Sequence, residues 1–127
     1  VCVGYQHNDA FPGNHPLFAG PLGYNGSKAG MELISQADVV LCLGTRLNPF
    51  STLPGYGIDY WPTEAKIIQV DLNPDRIGLT KAVTVGIVGD AAKVANAISS
   101  KLADGAGDAD REARKATIAK TKSAWAQ

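Results

Sequence analysis

Apolar residues fall in short unbroken runs along this chain, separated by stretches rich in proline, glycine and small polar residues. Val39, Val40, Leu41, Cys42 and Leu43 follow one another without alternation, the pattern of a strand covered on both faces. The run stops at Gly44, Thr45 and Arg46: a backbone hinge, a hydroxyl and a permanent cation. Residues 66–71 (KIIQVD) and 83–89 (VTVGIVG) read as further strands, and residues 1–4 as a short one. LNPDRIG, 72–78, predicts a turn with a short helix. In 27–36, SKAGMELISQ, Ser27 is placed to cap a helix with Ala29, Leu33 and Ile34 on one face. Asp90 is placed to cap a second helix, AAKVANAISSKL, whose Val94, Ala97, Ile98 and Leu102 form an apolar stripe. Residues 5–25 and the stretch from Gly44 through Pro62 carry enough breakers to be loops. Strands alternating with helices predict right-handed crossovers and a parallel β-sheet flanked by helices, an α/β fold.

Composition narrows the function classes. At 127 residues and 45% apolar, the chain can bury a core of one domain's size. Twelve basic residues balance twelve acidic ones, which argues against nucleic acid or an anionic membrane as partner. No apolar run approaches the ~20 residues of a membrane span. Cys2 and Cys42 both lie in strand-like surroundings, and free buried thiols fit a cytoplasmic location better than a disulfide framework. VCVGY opens on a strand-like run, and residues 103–127 shift to small and charged types. The expectation is a domain over 1–102, then a linker and surface helix over 103–127, within a larger polypeptide.

The chemistry-bearing residues sit at strand ends. In a parallel sheet ligands bind beyond the carboxyl ends of the strands. Those ends carry Gly44, Thr45 and Arg46, then Asp71 with Asn73 in its DLNPD turn, then Gly89 and Asp90. Arg46 suits an anion or an inter-domain salt bridge. Asp71 could bond a ribose hydroxyl or loop amides; Asp90 could cap a helix or touch a ligand. Neither GxGxxG nor GxxxxGK[ST] occurs, which disfavours a self-contained dehydrogenase or P-loop enzyme. His7, Asp9 and His15 share a loop without a metal-ligand spacing, so no metal site and no catalytic residue is assigned in this chain.

Ordered blocks carry a resemblance. FPGNHPLFAGPLGYNG (11–26), ADVVLCLGTRLNPF (37–50), AKIIQVDLNPDRIG (65–78) and VGIVGDAAKVANAI (85–98) are similar to the central domain of thiamine-diphosphate-dependent enzymes of the acetohydroxyacid synthase type. Within that family, YQHNDAFPGNHPLFAGPLGYNG and GTRLNPFSTLPGYGIDYWP most resemble the branch that cleaves sulfoacetaldehyde, releases sulfite and transfers the acetyl group to phosphate. The resemblance implies a domain related to NAD- and FAD-binding folds, flanked in one polypeptide by catalytic domains that hold thiamine diphosphate and Mg²⁺. It implies that this segment is inactive alone, and that the whole enzyme is a homodimer or homotetramer. It also places Arg46 at a rim where some members hold ADP or FAD, with Gly44, Thr45, Asp71, Asn73, Gly89 and Asp90 as the other candidate cofactor-binding residues. Phe50 stands where acetohydroxyacid synthases carry a second arginine, and Tyr24–Asn25 where they carry Met-His. Both departures point away from a flavin and a keto-acid acceptor, and toward phosphate. The same resemblance leads one to expect uncovered apolar loop residues: Phe11, Phe18, Leu22, Tyr24, Tyr56, Tyr60 and Trp61.

Overall fold

The computed structural model describes residues 1–126, which form two compact units. The first comprises Val1–Ala37, Pro49–Pro62 and the segment from Gly107; the second comprises Asp38–Asn48 and Thr63–Ala106. The α/β class and the parallel pairing expected from the sequence are both present.

In the first unit, β1 (Cys2–Val3) pairs in parallel with β2 (Gly20–Pro21), a strand hidden in the sequence by its own breakers. Helix α1 (Lys28–Ile34) starts where expected, because the Ser27 hydroxyl oxygen accepts from the Gly30 amide at 3.1 Å. It buries Ala29, Gly30 and Met31, while Leu33 and Ile34 are half-buried. Helix α3 (Asp108–Ala126) packs on α1 and buries Ile118.

The core of this unit corrects the list of uncovered residues. Leu22, Met31 and Tyr60 form its centre, and Tyr60 is 1% exposed. The Tyr60 hydroxyl accepts from the Gly23 amide and donates to the Leu53 carbonyl, each at 3.1 Å. One phenol thus ties two loops together and removes its own polar end from competition with water. Burial pushes its pKa up from 10.0, and the Gly23 amide partly opposes that shift. Phe11, Phe18 and Trp61 are half-buried, whereas Tyr24 and Tyr56 are exposed as expected. The Gly23 position demands glycine: φ is +78°, and a Cβ there would meet the Phe50 carbonyl oxygen at 2.1 Å.

The second unit holds a parallel sheet in the order β3 (Val39–Leu43), β4 (Lys66–Asp71), β5 (Val85–Val88). Helix α2 (Ala91–Lys101) follows β5 directly and packs on β4. Its Val94 and Ile98 are half-buried, but Ala97 and Leu102 are exposed, so the inward stripe is narrower than the sequence suggested. The connections are the loop and the turn with a short helix that the sequence predicts there. No helix joins β3 to β4, and only a 3₁₀ turn (Pro74–Arg76) lies between β4 and β5. Prolines and glycines in both connections explain this, since neither allows a long helix to propagate.

β3 is not covered on both faces. Cys42 is buried, while Val39, Leu41 and Leu43 on the other face are 52%, 42% and 41% exposed. An unbroken apolar run states that both faces avoid water; it does not say whether the covering group belongs to the same unit. Central β4 fits the two-face reading better, with Ile67, Gln69, Val70 and Asp71 all buried. No helix among the described residues is long and apolar enough to cross a membrane.

Candidate functional site: the strand-end rim

The sheet order brings the three strand ends into one row. The Gly44 amide donates to the Val70 carbonyl at 2.9 Å, and the Gly89 amide donates to the Asp71 carbonyl at 3.0 Å. Gly44, Asp71 and Gly89 are therefore neighbours, as the strand-end reading requires. The first turn of α2 stands beside them. A Cβ built on Gly44 would lie 3.7 Å from the Ala91 Cβ, an ordinary contact. Gly44 is glycine because its φ is +73°, where a side chain is strained. Gly89 has another reason: a Cβ there would press on the Val94 side chain at 3.1 Å. Its absent side chain serves helix packing rather than space for a ligand.

Several polar groups of the rim are engaged by the protein itself. Asp90 caps α2, its Oδ2 accepting from the Lys93 amide at 2.9 Å. Asp71 is 7% exposed, and its Oδ1 accepts from the Asn73 amide at 2.8 Å. Asn73 in turn caps the 3₁₀ turn, accepting from the Asp75 amide at 3.0 Å. The Thr45 hydroxyl oxygen accepts from the Leu47 amide at 3.2 Å. These contacts give Asp71, Asn73, Thr45 and Asp90 structural duties, and they aim one carboxylate oxygen of Asp71 and one of Asp90 into the turns.

Arg46 is different. It is exposed and forms no salt bridge among the described residues. A guanidinium free of internal partners keeps its planar fork available for a phosphate or a carboxylate. Nearby, Cys42 offers no nucleophile. Burial pushes its thiol up to about 11, and both cysteines are free.

Two concavities lie in the first unit. One, about 420 Å³, runs between the 18–21 strand region and the Lys122–Ala126 end of α3; the other, about 290 Å³, lies beside His15 and Ile118. His15 is structural, its Nδ1 accepting from the Leu17 amide at 3.0 Å. Among the described residues no group of His, Cys, Asp and Glu converges as metal ligands would.

Sequence reasoning missed one rim residue. Gln69, in the middle of β4, is 1% exposed, and its carboxamide reaches both strand-end loops. The signal was a lone amide between Ile68 and Val70 in a strand otherwise built for burial. The aromatic departures are also visible. Phe50 is 59% exposed, its carbonyl accepts from the Tyr24 amide at 2.8 Å, and the Tyr5 ring lies 6.2 Å from Tyr24 and 6.3 Å from Phe50.

Comparison with known proteins agrees with the parallel sheet and its strand-end blocks. Residues 1–98 match the family model described as thiamine pyrophosphate enzyme, central domain. The chain belongs to the thiamine pyrophosphate enzyme family. Its 127 residues are 84% identical to a stretch of the sulfoacetaldehyde acetyltransferase of Roseovarius nubinhibens, covering all of this chain and 21% of that protein. The sulfoacetaldehyde acetyltransferase of Rhodobacter capsulatus is 75% identical over the same length, of which the chain spans 22%. A probable acetolactate synthase large subunit of Methanocaldococcus jannaschii is 37% identical over 94 residues, 74% of this chain and 15% of that protein. This central domain thus spans about a fifth of the length of the acetyltransferases it matches.

Proposed function

We propose that the chain is the central domain of a thiamine-diphosphate-dependent sulfoacetaldehyde acetyltransferase, which converts sulfoacetaldehyde and phosphate to acetyl phosphate and sulfite. The observation that carries this is the 84% identity across the entire chain, against 37% over part of it for the acetolactate synthase. Phe50 and the Tyr24–Asn25 pair support the same choice, since neither supplies the cation a keto-acid carboxylate would need. The residues described here do not fit Mg²⁺, for no acidic or histidine cluster is present among them. We assign thiamine diphosphate and Mg²⁺ to flanking domains of the same polypeptide, with residues 1–102 as the central domain and 103–127 leading onward. A cytoplasmic homodimer or homotetramer is the assembly proposed for the whole enzyme.

For the rim itself we propose a nucleotide-binding role, with ADP, FAD or a coenzyme A fragment as the ligand class. Arg46 supports it as the exposed cation without an internal partner. Gly44, Thr45, Asp71, Asn73, Gly89 and Asp90 supply the frame around it.

The test has two arms. The full-length polypeptide, with thiamine diphosphate and Mg²⁺, should release sulfite from sulfoacetaldehyde only when phosphate is present. Acetolactate formation from pyruvate, with no sulfite release, would replace this reading by the acetolactate synthase one. Calorimetry of the chain with ADP, FAD and coenzyme A addresses the rim. Heat that Arg46→Ala removes supports the site, and no heat with any of them reduces Arg46 to architecture.

A further inference from the structure

We propose that Gln69 is the positioning residue of the rim, a single buried carboxamide that locks the loop carrying Arg46 to the turn carrying Asn73. The proposal rests on the rim being a binding edge. Gln69 Nε2 donates to the Thr45 carbonyl at 3.1 Å and, more weakly, to the Arg76 carbonyl at 3.4 Å. Its Oε1 accepts from the Gly78 amide at 2.9 Å. The two N–H groups meet carbonyls and the oxygen meets an N–H, so the amide orientation is the one its surroundings allow.

The geometry assigns a task beyond filling space in β4. Arg46 lies between two residues of left-handed backbone, Gly44 at φ +73° and Leu47 at φ +56°. Leucine seldom adopts that conformation, and such backbone persists only where the surroundings over-determine it. Here two bonds do so: the Leu47 amide donates to the Thr45 hydroxyl, and the Thr45 carbonyl accepts from Gln69. The Arg46 side chain makes no ion pair among the described residues, so this backbone is what fixes the point from which it leaves the sheet. On the other side, Gly78 closes the turn that begins at Asn73, and its amide lies outside any strand or helix. One side chain thus fixes both lips of the rim in register with the central strand.

Amide hydrogen exchange on the chain tests this directly. In the unmodified protein the Gly78 amide should be protected as strongly as the amides of β4; exchange at the rate of an open loop would overturn the proposal. Gln69→Met keeps the volume and removes every hydrogen bond. It should speed exchange at Gly78 and Leu47 by about tenfold or more, with α1 and β4 unchanged, and weaken ADP binding several-fold. Unchanged exchange at both amides, or loss of protection spread evenly over the sheet, would make Gln69 an ordinary core residue. Failure of the unmodified chain to bind any nucleotide would remove the rim's function, while the exchange pattern would still judge the lock. If Gln69→Met does not fold, the protection of Gly78 in the unmodified chain decides the matter.

Discussion

Tyr60 and Gly23 show how single residues hold the first unit together. The phenol oxygen serves as acceptor for one loop and donor to another, so removing it strands the Gly23 amide and the Leu53 carbonyl at once. Tyr60→Phe should lower stability by about 1–3 kcal/mol while leaving the packing of the ring unchanged. Chemical denaturation would show a lower midpoint at the same slope. An unchanged midpoint would mean that water satisfies both groups. The resemblance places Tyr60 among the uncovered loop aromatics, because a central domain flanked by others in one polypeptide should leave such residues for its neighbours. Its burial depends on Leu22 and Met31, which lie far from it along the chain. Arg46 is the opposite case. Its cationic chemistry at the end of an apolar run was legible directly, and the structure left it unpaired.

Among the elements, α2 was legible to within a residue because its signals are local: a capping aspartate, then apolar residues at helical spacing. Asp90→Ala should cost about 1 kcal/mol, and Asp90→Asn much less, since the amide oxygen can still accept from Lys93. Thermal denaturation of the two variants measures this. If Asn also retains any nucleotide affinity of the chain, Asp90 is a cap alone; if Asn folds normally and loses that affinity, the carboxylate touches the ligand. β2 was not legible, because Gly20 and Pro21 are poor strand formers and their pairing with β1 is a long-range event. β3 was placed correctly, but its covering was misjudged for the same reason. An apolar run names a preference, and the neighbours that satisfy it are set elsewhere.

At the scale of the molecule, the chain carries a strand-end edge, and among its described residues no group of His, Cys, Asp and Glu converges as metal ligands would. On the proposed function, the 127-residue chain by itself should show no phosphate-dependent sulfite release with thiamine diphosphate, Mg²⁺ and sulfoacetaldehyde, and the full-length polypeptide should. Turnover by the isolated chain, measured as sulfite formed, would contradict the assignment of the chemistry to flanking domains. The α/β class, the three strands of the larger sheet, both capped helices and the strand-end position of Gly44, Arg46, Asp71 and Asp90 followed from the sequence, since each rests on local periodicity, capping or charge at a strand end. Tertiary structure alone decided that the chain divides into two units and that Tyr60 is core. It also decided that Gly89 serves helix packing, and that a glutamine in the central strand holds both loops of the rim. Those outcomes depend on groups distant in sequence coming within a few ångströms of one another, and no local pattern encodes that distance.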